Sequence, residues 1–549
     1  MRPQPEYRWD RETTLVSQIA AGVSLLAFLF YFRRGDLLLY GDAVAHINIA
    51  RRVFDSQTPG LLQLGTVWLP LPHLLMIPFV VSDSAWQTGI GGTIPSACAY
   101  VLGTVGIFRL VRMALSFPVQ PKLTTRVAAW LAAAIYAANP NLLYLQTTAM
   151  TEALYLALFI WSVLHFSEFV RAEADSDAPA AGSSLSKCGL CLAGACLTRY
   201  DGWLLAAALV LASCWVMFRR QAIRRTIRPH FTRFIVLAGA APMFWLGYNA
   251  IIYRNPLEFA NGPYSAEAIE QKSATPGQPG HPGSNNLRVA FSYFLKSAEL
   301  NLAEDGALQK LWVALLAAGT VFLVLLHRER WPVLMLFLPL PFYALSVAYG
   351  GVPIFLPVWW PFSYYNARYG IELLPAFALC AAVTAYFVLN WAGDRLSKIA
   401  LGLAPVLLVV ASYALIWRAQ PVCYREARVN SRSRIALETS LASNLTLLPH
   451  DSTLLMYLGD HVGALQRAAI PLRRTINEGN HRPWVKPADP KGLWERSLAD
   501  PQRYADYVVA IDNDPVAAAV QKRDLSSIVV IRTLGQPAAT IYWTHRPPR

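Results

Sequence analysis

Charge is scarce in this chain. Only 15% of its 549 residues are Asp, Glu, Lys or Arg, against the roughly 25% usual in soluble proteins. A soluble chain of this length needs enough polar surface to cover several domains, so that organisation is excluded. The seven cysteines give no disulfide framework. Cys188, Cys191 and Cys196 have a metal-like spacing, but they lie in an apolar helical run (CGLCLAGACL) and read as small buried residues. No cleavable signal peptide is visible. The first apolar run, 15–32, is too long and lacks a small-residue cleavage site, so it reads as a retained first span. Long-period repeats are absent as well.

What the chain has instead is apolar text: 55% hydrophobic residues and a mean hydropathy of +0.33. This text falls into blocks of about 17 to 22 residues, the length that crosses a ~30 Å hydrocarbon core as a helix. Candidate spans lie at 14–33, 91–112, 127–145, 152–170, 188–198, 202–218, 233–253, 309–326, 331–349, 370–390 and 400–418. The chain is therefore a polytopic α-helical integral membrane protein with about eleven spans. Its 17 Trp and 24 Tyr suit aromatic belts at the two interfaces. The net charge of +14 comes from Lys and Arg spread over short loops and the C-terminal part. It reads as a topology signal and an attraction to anionic membrane lipids, not as a nucleic-acid surface.

Orientation follows from the basic flanks. Arg2, Arg8 and Arg11 precede the first span, and Arg109, Arg112, Lys122 and Arg126 flank one loop. Arg219, Arg220, Arg224, Arg225, Arg228 and Arg233 crowd a second; His327, Arg328 and Arg330 mark a third; Arg395 and Lys398 mark a fourth. All of these are cytoplasmic only if segment 66–82 (TVWLPLPHLLMIPFVVS) does not cross. Pro70, Pro72 and Pro78 argue the same way, because each removes a backbone donor that hydrocarbon cannot replace. The segment reads as re-entrant or interfacial. The N-terminus is then cytoplasmic, and loops 34–90, 146–151, 254–308 and 350–369 face outward. Segment 172–186 reads as a polar cytoplasmic connector, and the Pro/Gly/Ser-rich stretch 271–286 as a mobile loop or lid.

Two domains are expected: a transmembrane domain, 1–418, and an extracytoplasmic α/β domain, 419–549. The tail opens with helical text (SRIALETSLASNL) and continues with short apolar runs, STLLMYL, YADYVVAID and SSIVVIRT, which read as strands. Whether it acts or merely caps the membrane part stays open.

Polar residues at the outer membrane edge come from distant parts of the chain. Asp42 and His46, in YGDAVAH, are four apart and share one face of a helix starting there; Asp42 capping that helix is the plain alternative. Glu152 opens a span, where it complements the helix dipole or faces a bundle interior as a functional group. Arg199, Tyr200 and Asp201 sit in a polar break between two short spans, a feature tolerated where it lines a cavity. Arg199 at that depth needs a partner, either Asp201 or a ligand phosphate. Arg368 and Tyr369 stand at the mouth of another span, where Arg368 either binds a ligand or snorkels to headgroups. Two carboxylates, two arginines and a histidine at one outer cavity fit group transfer from a lipid phosphate. A polyprenyl-phosphate leaving group needs positive charge, and an acceptor hydroxyl needs a base.

In order and sidedness, an Asp in the first outer loop, an acidic residue after a short outer turn, a TRxxG break and an ARYxxxLLP run resemble the GT-C membrane glycosyltransferases. The nearest group is that of the protein O-mannosyltransferases and lipid A aminoarabinose transferases. The resemblance covers residues 14–390. It implies transfer of a hexosyl or mannosyl-type sugar from a polyprenyl-phosphate-sugar donor, with inversion, to a lipid, glycan or protein hydroxyl at the outer face of a bacterial-type inner or plasma membrane. By the same resemblance, Asp42 is the base or orients the acceptor, and Glu152 is a second acid–base or acceptor-positioning group. Arg199 and Arg368 hold the donor phosphate. A divalent metal is admitted but not required, since some members bind one. Many relatives carry paired acidic residues in the first loop, whereas Asp42 here is followed by Ala43, with His46 a turn later. His46 then orients Asp42, ligates a metal or binds the sugar. The segment LPLPHLL resembles the Pro-rich, partly inserted stretch of these enzymes, with His73 near the site or structural. A competing reading is a flippase of lipid-linked sugars. It predicts two pseudo-symmetric broken helix pairs, and only one such pair, 188–218, is visible.

Overall fold

The computed structural model describes residues 9–115, 122–219, 224–273, 280–325, 328–391, 393–459, 461–480 and 491–544. Arg2, Arg8, Arg220 and His327, which carried part of the orientation reading, lie outside these residues, as do 274–279 of the proposed lid.

All eleven predicted runs fall on helical elements. Nine helices among the described residues are long and apolar enough to cross a membrane, from Arg11–Arg33 through Glu152–Ala174 and Asp201–Arg219 to Ala367–Trp391 and Ala400–Leu445. The run expected at 127–145 stops earlier, as helix Leu123–Ala137. Pro140 cannot donate to the preceding turn, and the Asn139 side chain caps a new short helix, Pro140–Leu145, by accepting from the amides of Asn141 and Leu142.

The connector expected at 172–186 is a correction. Asp177 accepts from Ala180 N and Pro179 occupies the first turn, so helix Ala178–Cys196 begins there and only 175–177 link it to the preceding helix. The helix before the polar break is thus 19 residues long and not short. The break itself stands, at 197–200, before helix Asp201–Arg219. Gly202 makes that turn possible: a Cβ there would lie 2.6 Å from the backbone carbonyl of Ala195.

Segment 66–82 holds only one short helix, Leu71–Met76. It docks onto the break, with Leu71 N donating to Leu197 O at 3.0 Å. The rest of segment 34–89 carries helices Gly41–Arg52 and Asp83–Thr88 and the 3₁₀ turn Leu61–Leu64.

Helix Val422–Leu445 leads into a five-stranded mixed sheet: β1 Leu454–Met456, β2 Thr475–Ile476, β3 Tyr507–Ile511, β4 Ser526–Ile531 and β5 Ala539–Trp543. The order is β2-β1-β3-β5-β4, with β1 parallel to β2 and β3, and β5 antiparallel to β3 and β4. Side chains alternate across the pleat. Leu454, Met456, Val509 and Ile511 join the core that runs through the helical part, whereas Leu455, Val508 and Ala510 pack with Trp494 on the other face.

The sheet region grips segment 34–89. Asn48 donates to Gln466 Oε1 at 3.1 Å, Trp86 Nε1 donates to Asn48 Oδ1 at 3.0 Å, and Gln466 donates to Trp86 O at 2.6 Å, all buried. Asp55 accepts from the amides of Leu472 and Arg473. Helix Gly41–Arg52 is thereby fixed from outside the membrane helices.

Candidate functional site

The sequence separates Asp42, Glu152, Arg199, Asp201, Arg368 and Tyr369, and the fold gathers them. Asp42 lies in the first turn of helix Gly41–Arg52, but it does not cap its own helix. Its carboxylate takes a hydrogen bond from Arg368 Nη2 at 2.6 Å. Arg368 uses its whole fork: Nε donates to Glu152 Oε1 at 3.1 Å and Nη1 to Glu426 Oε1 at 3.2 Å. One guanidinium therefore meets three carboxylates from three segments, a geometry Lys could not supply.

Arg368 is held by a 3₁₀ turn, Ala367–Leu373, entered through Asn366 at φ 55°. Asn tolerates this left-handed conformation better than most residues. The amides of Asn366 and Ala367 donate to the same Glu426 carboxylate at 3.1 and 2.8 Å, so Glu426 fixes both the turn and the guanidinium. Ala367 O accepts from Ser297 and Asn301 of helix Leu287–Leu302.

Arg199 forms the second centre. Its Nε lies 3.0 Å from Glu372 and 3.4 Å from Asp201, its Nη1 3.6 Å from Glu152, and its Nη2 donates to Tyr343 Oη at 2.6 Å. Tyr343 has one hydroxyl hydrogen to give, with Glu372 at 2.9 Å and Asp201 at 3.2 Å as acceptors. Glu152 bridges the two arginines. The Tyr369 ring lies between them, 5.0 Å from Arg368 and 5.2 Å from Arg199.

The two histidines form a separate pair. His46 Nδ1 and His73 Nε2 are 2.8 Å apart, and the His46 ring lies beside Trp68. Neither belongs to a membrane-crossing helix. Burial, reinforced by Arg368 and Arg199, pushes His46 down to about 3. Burial likewise holds His73 well below its ordinary value, with His46 and Arg52 acting in the same sense. Both rings are neutral at pH 7, so one donates to the other.

Tyr200 does not join the cluster. Its hydroxyl donates to Val67 O at 3.0 Å and its ring stacks on Phe259, which anchors the Pro-rich segment to the break. Sequence reasoning missed Glu426, Glu372 and Tyr343 as site residues. Glu372 had a usable signal, since a carboxyl inside an apolar span is functional by default. Tyr343 in an apolar run and Glu426 in a polar tail helix offered none.

Accessibility separates the carboxylates. The Asp42 side chain is 38% exposed, while Glu152, Glu372, Glu426 and Asp201 are 0 to 3% exposed. Only Asp42 can touch a ligand without rearrangement. Among the described residues, no three His, Cys, Asp or Glu side chains are grouped to hold a metal ion, and these carboxylates face guanidinium groups.

No family model matches the chain, and no curated protein matches it in sequence. Solved structures do match its shape. ArnT from Cupriavidus metallidurans in the apo state superposes with a TM-score of 0.58 at 13% identity, covering 97% of this chain and 98% of that one. The same protein bound to undecaprenyl phosphate gives 0.56 at 14% identity, covering 97% and 99%. At such identity the likeness is one of fold, and the fold is GT-C-like over nearly the whole chain.

Proposed function

We propose that the chain is a membrane glycosyltransferase that moves a sugar from a polyprenyl-phosphate-linked donor to a hydroxyl acceptor at the outer face of the membrane, with Asp42 as base. The observation that carries this reading is the difference in exposure within one carboxylate cluster: Asp42 is reachable and its four neighbours are sealed. The shared fold with ArnT, which has been solved with undecaprenyl phosphate, supports the donor class.

In this reading Asp42 accepts the proton of the acceptor hydroxyl as the new C–O bond forms at the anomeric carbon and the C–O bond to the lipid phosphate breaks. The electron pair leaves on phosphate, already a stable anion that needs no acid. One accessible carboxylate suits a single displacement, hence inversion. A retaining route needs a second carboxylate as nucleophile, and the others here are buried. Arg368 keeps Asp42 aimed, and Glu152 positions Arg368 against Arg199 without touching substrate. His46, one helical turn from Asp42, is buried, neutral and paired with His73.

The site faces outward in this proposal, with the N-terminus cytoplasmic and the segment from 419 onward outside. The transferase reading is preferred to a flippase because only one broken helix pair, at 188–218, is visible in the sequence. The deciding experiment replaces Asp42 by Asn and follows radiolabelled sugar transfer in membranes. A general base contributes about 10²–10⁴-fold, so transfer should fall by that factor while binding of the lipid donor persists. Transfer at the wild-type rate would remove Asp42 from the chemistry.

A further inference from the structure

From 331 to 367 the chain carries no Asp, Glu, Lys, Arg or His. Only the first part of this stretch belongs to a crossing segment, Arg330–Tyr349. The uncharged text runs on past it into a hairpin, residues 355–365. Phe355 N donates to Tyr365 O at 2.9 Å and Tyr365 N to Phe355 O at 3.2 Å. Phe362 N closes the tip on Trp359 O at 2.7 Å. The tip is pinned on its inner side. Tyr293 Oη, on helix Leu287–Leu302, donates to Trp360 O at 2.7 Å, and the Trp359 ring meets Tyr293 edge-on at 5.0 Å. The Lys296 ammonium lies 5.9 Å from the centre of the Trp359 ring. Asn430 Nδ2 holds the returning strand by donating to Tyr364 O at 2.9 Å.

The outer side of the tip is bare. Val358, Trp360 and Phe362 are 47, 50 and 68% exposed. Phe362 also has a φ of 55°. A bulky aromatic adopts that left-handed conformation at a cost, and glycine adopts it freely. An aromatic side chain placed there and left exposed offsets the strain only through something outside the chain.

What covers the tip follows from its neighbours. Leu345 and Tyr349 are exposed at the end of the crossing segment, and the exposed apolar face of such a segment meets lipid. The hairpin begins six residues later and continues that surface without a charge. An interface with a soluble partner is rimmed by polar groups, and 331–367 has no charge to offer one. Trp next to Pro and Phe suits the boundary between headgroups and hydrocarbon. We infer that the hairpin is an interfacial anchor: Trp360 and Phe362 insert into the phospholipid leaflet just below the headgroups, on the side of the membrane where Asp42 lies. The strand returning from the tip reaches Arg368 three residues after Tyr365, so the anchor and the guanidinium that fixes Asp42 share one short arm. The inference needs only an integral membrane protein and does not depend on the glycosyltransferase reading.

The test is photolabelling of the full chain in nanodiscs of phosphatidylethanolamine and phosphatidylglycerol. A trace of phospholipid carries a diazirine near the glycerol end of one acyl chain, and mass spectrometry after proteolysis locates the adducts. Adducts are expected on Trp360 and Phe362, as on Leu345 and Tyr349. Leu534, 97% exposed in the turn between β4 and β5, is the control for an apolar side chain away from the bilayer and should stay unlabelled. In the double variant Trp360→Ser with Phe362→Ser, adducts across 355–365 should be lost while those on Leu345 and Tyr349 persist. Phe362→Gly removes the strain at that residue, so the turn still forms, and it should weaken labelling of the tip as well. An unlabelled wild-type tip, or one labelled no more than Leu534, overturns the anchor. Tip labelling that survives in both variants overturns it too, because the two side chains would then not carry the insertion. Adducts that appear only when a single chain occupies each disc would give the surface to a second copy, and that also overturns the proposal.

Discussion

Arg368 and Asp42 are 326 residues apart in the chain and 2.6 Å apart in the fold. Because Arg368 also holds Glu152 and Glu426, it is the common partner of helices Gly41–Arg52, Glu152–Ala174 and Val422–Leu445. Arg368→Ala leaves the sealed Glu426 without its cation and Glu152 with Arg199 alone, an imbalance that costs about 3–5 kcal/mol in buried pairs. Sugar transfer should vanish and the melting temperature should fall together. Arg368→Lys keeps the charge but cannot fork to three acceptors, and should recover stability in part with little activity.

Glu152→Gln separates positioning from chemistry. The glutamine fills the same volume but weakens the bridge between Arg368 and Arg199. Both melting temperature and kcat should drop, whereas Asp42→Asn, altering a half-exposed group, should cost activity with little loss of stability. Calorimetry beside a transfer assay distinguishes them, and equal melting temperatures in both variants would contradict the assignment.

Tyr343→Phe deletes one oxygen that accepts from Arg199 and donates to the Glu372–Asp201 pair. Leaving buried polar groups unsatisfied costs about 1–3 kcal/mol. Thermal unfolding should report that loss, and transfer should slow as the Arg199 centre loosens.

The His46–His73 pair sets an acid limit. His46 has its folded value lowered from 6.5 to about 3, and His73 moves in the same direction. Below pH 6.5 the unfolded chain therefore takes up protons that the folded chain refuses. This contribution is complete above pH 6.5 and is lost as pH falls toward 3, by up to about 1.4 kcal/mol per pH unit for each histidine. Melting temperature should decline from pH 7 to pH 5, and the double variant His46→Asn with His73→Asn should flatten that slope.

Gly370 lies inside the 3₁₀ turn that carries Arg368, and a Cβ there would stand 2.3 Å from the backbone of Ser297. Gly370→Ala must push this turn away from helix Leu287–Leu302. Transfer should fall although no polar group has changed. Unaltered kinetics would show that the turn has slack.

The fold was largely legible because hydrocarbon imposes length and polarity on every crossing helix. The breaks at Pro140 and Pro179 were less so, since local capping by Asn139 and Asp177 decides where such helices start. Of the site, the groups at helix mouths stood out: Asp42, Glu152, Arg199 and Arg368 are charges at the edge of apolar text. The partners they choose are long-range and therefore silent in the sequence. Arg199 was open to Asp201 or a phosphate and Arg368 to a ligand or headgroups; the fold surrounds both with carboxylates, Glu426 among them arriving from a tail helix whose text gave no hint of that destination.

Glu426 gives the chain a built-in completion signal. It lies in helix Val422–Leu445, far along the chain from the rest of the centre, yet it accepts from Arg368 and from two amides of the turn that carries it. During synthesis, a nascent chain that stops at residue 419 has every other part of the centre and still lacks the anchor for that turn. The turn that carries Arg368 is therefore anchored only once helix Val422–Leu445 has emerged and docked.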